Sequence, residues 1–369
     1  MITISLCLIV KNEEGTLARC LESVKEAMDE IIIVDTGSTD TTKKIALRYT
    51  GKVYDFQWID DFGAARNFAF RQATKDYIMW LDADDVLLKK DLQKLLLLKQ
   101  TLDSTIDSVT MDYHLAFDEN GNVTSSLRRN RLVKRSRQFQ WVGAVHEYLA
   151  VNGNIFSSDI AVTHQKERCD TSDRNLKIYE SRLAKGEIFS PRDLFYYANE
   201  LVDHNMHEKA IVYYQKFLDT GLGWVEDSIS ACGKLADCFS HLGNEEQTLK
   251  YIYQSFEYDT PRPEFCCRLG YHFFKAQKYL LAIFWYKMAT TLTYADNHPS
   301  LKNYACSTWL PHLQLCVCHS KLGDNITALE HNKIAESYVP NHPSVIYNKN
   351  YFNQLFSSPP AAQPLHGTD

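Results

Sequence analysis

Apolar strands and amphipathic helical segments alternate through the first 165 of the 369 residues. The predicted strands cover 2–10, 31–35, 52–55 and 77–82, and the predicted helices cover 17–28, a segment from about 40, and 62–73. Apolar strands separated by helices are typical of a parallel, doubly wound sheet. After residue 107, shorter extended runs and a turn at 120–122 predict an antiparallel addition.

Acidic residues lie at or just after the carboxyl ends of these predicted strands, where ligands bind in such sheets. They are Glu13, Asp35 and Asp82. Asp82 and Asp84 are alternate residues, so in extended backbone their side chains share one side. Two converging carboxylates suit a hard divalent cation whose shell is completed by phosphate oxygens. The alternative is an acidic helix start favoured by the helix dipole.

Two further segments point to the same edge of the sheet. Asp35 ends a buried strand and can accept hydrogen bonds from a base or ribose, while Gly37 lets the backbone turn close to a ligand. Arg66, at the start of a helix rich in small residues, suits bidentate contact to a phosphate or a base edge. The alternatives are a turn acid at Asp35 and a solvated guanidinium at Arg66.

Four motifs occur in order: Leu8-Ile-Val-Lys-Asn-Glu-Glu14, Ile33-Val-Asp-Thr-Gly-Ser-Thr-Asp-Thr41, Gly63-Ala-Ala-Arg-Asn67 and Leu81-Asp-Ala-Asp-Asp85. Together they resemble the family-2 inverting glycosyltransferases of GT-A fold, over residues 1 to about 165. The resemblance implies a Rossmann-like domain with a mostly parallel sheet. It also implies a nucleotide-sugar donor, expected to be a UDP-hexose, and a divalent metal, Mn²⁺ or Mg²⁺.

The resemblance carries expected roles onto individual residues. The donor would contact Val10, Asn12, Glu13, Asp35, Arg66, Asp82, Ala83 and Arg131. The metal would be held by Asp82, Asp84 and His164. Two more of these assignments have open alternatives: Arg131 lies in a basic run that is usually a solvated strand, and His164 is alternatively an ordinary polar histidine.

Trp141-Val-Gly-Ala-Val-His146-Glu147 resembles the W-x-G-x-x-H-E segment of the same glycosyltransferases. An inverting transfer needs one base to deprotonate the acceptor as it attacks the anomeric carbon. Glu147 is the candidate base. His146 is its rival, or it orients one of the substrates. Trp141 is expected to stack on an acceptor sugar face or, alternatively, to pack in the core.

From about residue 190 the sequence predicts helices with degenerate repeats. Small residues recur at spacings of 7 and 12, and the interval from Thr248 to Ala282 is 282 − 248 = 34 residues. These spacings match the tetratricopeptide pattern, in which small residues let paired helices approach closely. The alternative is a helical bundle without repeats. A longer loop is expected at about 293–303.

The predicted boundaries are a transferase domain at 1–170, a helical linker at 171–190, tetratricopeptide-like repeats at 191–355 and a disordered tail at 356–369. This order of domains resembles soluble bacterial glycosyltransferases, including those that modify Cys or Ser of glycocin precursors. A groove in the repeats would hold a peptide acceptor; alternatively, the repeats only form a homodimer. One rival hypothesis is a transferase that acts on a cell-surface glycan or a lipid-linked acceptor. The other is an inactive scaffold or peptide-binding protein.

The composition limits the binding partners and the cellular compartment that we expect for this protein. A net charge of −6 implies no general attraction to nucleic acid or anionic membrane. Ten cysteines without metal-like pairing indicate reduced core cysteines in a cytoplasmic protein. The apolar start lacks a basic n-region and a cleavage site, so it is interpreted as a first strand. No run reaches the ~20 apolar residues of a membrane helix, and a Q-x-x-R-W signature of processive synthases is absent.

Overall fold

The computed structural model describes residues 1–118, 121–165, 173–292 and 302–357. Backbone contacts divide the chain into two compact units, the first containing Met1–Ala231 and the second beginning at Cys232. The division falls inside one helix, Val225–His241. The predicted domain boundaries therefore stay predictions. Most of the expected loop at 293–303 and residues 358–369 of the expected disordered tail lie outside the described residues, whereas Phe356 and Ser357 end a helix.

The first unit is built on a mixed sheet. Its strands are β1 (Ile4–Val10), β2 (Glu30–Asp35), β3 (Val53–Asp55), β4 (Tyr77–Trp80), β5 (Asp85–Val86), β6 (Ser108–Phe117), β7 (Val123–Lys134) and β10 (Ile155–His164). Their order in the sheet is β3-β2-β1-β4-β7-β6-β10-β5. Pairing is parallel from β3 to β4 and between β6 and β10, and antiparallel elsewhere. A separate hairpin pairs β8 (Gln140–Val142) with β9 (Tyr148–Ala150).

Helices cover the sheet because its central strands are apolar on both faces. The helices of the first unit are α1 (Leu17–Val24), α2 (Thr42–Ala46), α3 (Phe62–Gln72), α4 (Lys89–Thr101), α5 (Arg174–Ala184), α6 (Pro191–Asp203) and α7 (His207–Asp219). One core cluster joins β1 and β4 to α1, and another joins the opposite faces of β2 and β4 to α3. The predicted Rossmann-like α/β fold is confirmed, as is the antiparallel addition of β6 and β7.

The acidic run after β4 differs from the sequence-based prediction. The strand ends at Trp80 rather than at residue 82. Asp82 and Asp85 close a turn instead, in which the Asp85 amide donates to the Asp82 carbonyl at 3.0 Å. The Asp82 amide in turn donates to the Asp85 carboxylate at 3.0 Å. A turn, and not alternation along a strand, therefore sets the directions of these carboxylates.

The second unit is helical. It contains the end of α8 (Val225–His241), then α9 (Glu245–Gln254), α10 (Pro263–Lys275), α11 (Tyr279–Thr291), α12 (Trp309–Lys321), α13 (Asn325–Tyr338) and α14 (Pro343–Ser357). In the short strand β11 (Lys302–Asn303), Lys302 is assigned to the first unit. The predicted tetratricopeptide-like helical region is confirmed. Among its small residues, Ala282 and Ala328 are fully buried. A Cβ at Gly270 would lie 2.6 Å from the Tyr286 ring, so α10 and α11 pack closely only because this position is glycine.

Two further observations concern the cysteines and the helices. All nine cysteines in the described ranges are buried, and none of the nine forms a disulfide. None of the helices in those ranges has both the length and the apolarity needed to cross a membrane.

Candidate functional site

A cavity of about 400 Å³ in the first unit opens where β1, β2 and β4 end. Nine of the predicted site residues line it: Val10, Glu13, Arg66, Asp82, Ala83, Asp84, His146, Glu147 and His164. The structure thus brings together side chains that are up to 154 positions apart in the sequence, from Val10 to His164 (164 − 10 = 154). Four predicted residues do not line this cavity: Asn12, Asp35, Arg131 and Trp141.

Arg66, near the start of α3, joins two of the predicted carboxylates. Its Nη2 donates to Asp82 Oδ1 at 2.7 Å, and its Nε donates to Glu147 Oε1 at 2.6 Å. Burial alone would raise the pKa of Asp82, but the positive charges of Arg66 and Arg131 outweigh it and lower that pKa. Asp82 is therefore ionised at neutral pH. The guanidinium group of Arg66 fixes Glu147 relative to the acidic turn through two charge-assisted hydrogen bonds.

Asp84, Asp85 and His164 form a possible metal site. One ligand atom from each lies within 4.8 Å of the other two. His164 Nδ1 is 3.5 Å from Asp84 Oδ1, 3.4 Å from Asp85 Oδ1 and 3.0 Å from the Tyr113 hydroxyl. The hydrogen bond with Asp85 raises the pKa of His164. Carboxylate oxygens with one imidazole suit Mn²⁺ or a similar divalent ion.

The charge of Asp84 is poorly compensated among the described residues. Burial, together with the negative charges of Asp82, Asp85 and Glu13, raises the pKa of Asp84 to about 6, against the opposing effect of His164. A bound cation would stabilise the charged form of these closely spaced carboxylates. The residues present therefore fit a divalent metal.

Asp85 belongs to this cluster although the sequence-based metal set did not include it. Its side chain is fully buried, and its Oδ2 lies 3.0 Å from Nη1 of the equally buried Arg131. The sequence did contain a signal, since Asp85 directly follows Asp84 in the acidic run. Its role as the anchor of the turn depends on a partner 46 residues away (131 − 85 = 46), which no local pattern reveals.

Arg131 occupies a different place from the one predicted. Its guanidinium lies between two rings, 3.9 Å from the centre of Trp80 and 4.4 Å from that of Tyr113. It is fully buried behind the acidic turn, as the partner of Asp85. A direct contact of Arg131 with a diphosphate is therefore not supported, and neither is a solvated strand position.

Trp141 takes the core position that was the alternative to sugar stacking. Only 6% of its surface is exposed, and its ring meets those of Trp80 at 4.7 Å and Phe70 at 5.8 Å. The Arg66 guanidinium lies 4.8 Å from its centre. Trp141 thus supports Arg66 and does not face the cavity.

Asn12 and Asp35 shape the loops beside the cavity. Asn12 has a left-handed backbone, with φ of 57°, and its side-chain oxygen accepts from the Thr39 amide at 2.8 Å. One Asp35 oxygen accepts from the amides of Gly37 and Ser38, at 2.8 and 2.7 Å. The other oxygen of Asp35 is buried and has no hydrogen-bond partner in the described part of the chain. A donor group placed against Asp35 would satisfy it.

Several residues at the cavity were not anticipated from the sequence. Trp58 and Phe62 meet edge to face at 4.7 Å, and Arg174 and Asn175 enter from α5. His146 is bonded to Glu200 of α6. No sequence motif indicates that these residues lie at the cavity, because α5 and α6 fall in the part of the chain that the sequence predicts to be a linker and repeats.

A family model matches part of the first unit. Residues 5–155 match the model of Glycosyl transferase family 2, so the first unit contains a domain of that family. The matched segment ends before α5. It includes the acidic turn, Arg66 and the His146-Glu147 pair, but not His164.

Two curated relatives are similar to this chain over part of its length. The TPR repeat-containing protein Synpcc7942_0270 of Synechococcus elongatus is 50% identical over 88 residues, which cover 24% of this chain and 22% of that protein. The SPbeta prophage-derived glycosyltransferase SunS of Bacillus subtilis is 29% identical over 232 residues, which cover 59% of this chain and 53% of SunS. The chain thus spans about half the length, or less, of these relatives.

Among solved structures, the chain is similar to glucosyl-3-phosphoglycerate synthase from Mycobacterium tuberculosis in complex with Mn²⁺ and UDP-glucose. The TM-score is 0.35 with 16% identity, over 52% of this chain and 81% of that structure.

Proposed function

We propose that the protein is a metal-dependent, inverting glycosyltransferase that moves a hexose from a UDP-sugar to an acceptor nucleophile. The observation that carries this proposal is the arrangement of Arg66, which bonds both Asp82 of the acidic turn and Glu147 of the W-x-G-x-x-H-E segment. Donor-binding and proton-accepting groups then share one cavity. The family of the domain supports the same reaction class.

The donor would lie along the carboxyl ends of β1, β2 and β4. The unpartnered oxygen of Asp35 is suited to an N–H of the nucleoside base, and the backbone at Val10 and Asn12 borders the same loop. Asp82 and Ala83 would meet the ribose and diphosphate, with Glu13 on the facing wall. Asp84 and His164 would hold the metal, with Asp85 beside them. When bound, a divalent metal neutralises the diphosphate and favours its departure.

Transfer would be a single displacement at the anomeric carbon. The acceptor atom forms a bond to that carbon as the bond from carbon to the diphosphate oxygen breaks, and the bonding electron pair leaves with UDP. The proton of the acceptor passes to Glu147. Arg66 holds Glu147 in place through Oε1, and His146 stands next to it on the cavity wall.

The acceptor is proposed to be a Cys or Ser side chain of a peptide. The helical second unit supports this choice, because stacked helix pairs of this kind offer extended surfaces for peptides. On this view the reaction occurs in the cytoplasm, where the nine described cysteines stay reduced. A cell-surface glycan or lipid-linked molecule is the second candidate acceptor. Alternatively, the helices of the second unit form a homodimer.

The test is release of UDP from a panel of nucleotide sugars with Mn²⁺, with and without Cys- and Ser-containing peptides, followed by mass spectrometry of the peptides. We expect metal-dependent turnover that Asp84→Asn abolishes and that the exposed-site control Asp159→Asn retains. If the parent and Asp84→Asn are equally inert with every donor, the inactive scaffold is supported instead.

A further inference from the structure

The His146 side chain is held by helices that follow the family-matched segment. Its Nε2 lies 2.7 Å from Glu200 Oε1, and its ring stacks on that of Tyr196 with centres 4.4 Å apart and planes 17° apart. Its carbonyl oxygen accepts from Nε and Nη2 of Arg192, at 3.1 and 2.9 Å. All three partners belong to α6, so one helix fixes both the backbone and the ring of His146.

The backbone of His146 itself is in an unusual state. Its φ of 51° lies in the left-handed region, which is uncommon for a residue with a Cβ, although histidine adopts it more often than most. The two hydrogen bonds from Arg192 to the carbonyl are suited to enforce it. These contacts hold the direction of His146 at the cavity wall, beside the candidate base.

Glu200 is a buried carboxylate with a defined set of donors. It is 7% exposed, and its Oε1 also accepts from Asn175 Nδ2 at 3.0 Å. Burial alone would raise the pKa of Glu200, but the hydrogen bonds from His146 and Asn175 outweigh it and lower that pKa. An ionised carboxylate only accepts hydrogen bonds, so the bonded His146 nitrogen, Nε2, carries the proton. A neutral His146 then keeps its lone pair on Nδ1.

We propose that Glu200 is a positioning residue of the transferase site: it fixes the tautomer and the direction of His146 beside Glu147, so that α5 and α6 complete the catalytic domain rather than only linking it to the repeats. The expected effect of Glu200 on catalysis rests on the proposed function. The expected tautomer of His146 does not depend on the reaction.

The kinetic test compares Glu200→Gln with a control on the same helix. Asp193→Asn removes another part-buried carboxylate of α6, which pairs with Arg182 at 2.6 Å and caps the helix, but does not touch His146. Both variants are measured for melting temperature, for UDP-sugar affinity by calorimetry and for kcat in the whole 369-residue chain. We expect Glu200→Gln to lower kcat by about 10–100-fold, the scale found when an outer partner that orients a metal-binding imidazole is removed, with donor affinity within about twofold of the parent.

The control separates positioning from general support of the helix. Asp193→Asn is expected to keep the parent kcat even where its melting temperature falls as far as that of Glu200→Gln. A parent-like kcat in Glu200→Gln, or an equal loss of kcat in Asp193→Asn, overturns the proposal.

A spectroscopic readout remains decisive if the parent turns over no donor at all, which would defeat the proposed function alone. Long-range ¹⁵N–¹H spectra of the histidine rings, with the His146 signal identified by its loss in His146→Asn, report which nitrogen is protonated. We expect the Nε2–H form in the parent and in Asp193→Asn, and a mixture or the Nδ1–H form in Glu200→Met, which removes the acceptor oxygen. An unchanged His146 tautomer in Glu200→Met overturns the positioning role.

Discussion

Arg131 Nη1 lies 3.0 Å from Asp85 Oδ2, and both side chains are fully buried. Asp85 also accepts the Asp82 amide. The ion pair therefore connects the centre of the sheet, through β7, to the turn that carries the candidate metal and donor ligands. Its function is to set the shape of that turn rather than to meet a substrate.

Removing one member of this pair should destabilise the first unit strongly. Arg131→Met leaves Asp85 buried without its cation, and breaking a buried pair in this way costs about 3–5 kcal/mol. Urea unfolding followed by tryptophan fluorescence measures the loss. Arg137→Met is the matched control, because Arg137 is 43% exposed and its pairing with Asp107 spans 3.5 Å; exposed pairs contribute about 0–1 kcal/mol. Equal losses in the two variants would contradict a structural role for the Arg131–Asp85 pair.

Glu147→Gln should separate donor binding from transfer. The Gln oxygen can still accept from Arg66 Nε, so the cavity keeps its shape, but the side chain no longer takes a proton at neutral pH. We expect kcat to fall about 10²–10⁴-fold, with UDP-sugar affinity near that of the parent. Turnover and calorimetry measure the two effects, and the exposed Glu187→Gln serves as control. Undiminished transfer would remove Glu147 from the role of base and leave His146 as the candidate.

The alternation of strands and helices and the order of the motifs predicted the fold and most of the cavity, because parallel strands bring their carboxyl ends to one edge. The sequence did not reveal that β4 stops at Trp80, since Leu81 is as apolar as the strand before it. Nor did it reveal the burial of Arg131, because a run of arginines reads as a solvated strand unless its buried partner is known. The hydrogen bond between His146 and Glu200 joins the W-x-G-x-x-H-E segment to α6. The sequence patterns of these two segments are unrelated, so only the tertiary structure shows this bond.

Gly270→Ala should destabilise the helical second unit. The added methyl group would lie 2.6 Å from the Tyr286 ring, which is buried between α10 and neighbouring helices and cannot withdraw freely. Overpacking of this kind costs about 1–3 kcal/mol. Thermal unfolding followed by far-ultraviolet circular dichroism measures it.

The matched control for Gly270 is Gly233→Ala in α8. A Cβ at Gly233 meets its nearest neighbours at 3.4 Å, an ordinary contact. Alanine also favours a helix over glycine by up to about 1 kcal/mol, so Gly233→Ala should leave stability unchanged or raise it. A Gly270→Ala protein as stable as Gly233→Ala would show that α10 and α11 do not need the close approach.

Glu30, at the start of β2, should make the first unit less stable in acid. Burial opposes its charge, but hydrogen bonds from Lys52, Ser5 and Thr74 outweigh this effect and lower the pKa of Glu30 from 4.5 to about 2. Because the folded-state pKa is the lower one, the stabilisation is present above pH 4.5 and is lost as the pH falls towards 2. At ~1.4 kcal/mol per pKa unit, its size is about 3 kcal/mol. In Glu30→Gln, the free energy of unfolding in urea should be lower than in the parent at pH 5, and the difference should shrink steadily towards pH 2. A difference that stays constant across this range would show that Glu30 contributes through packing and not through its charge.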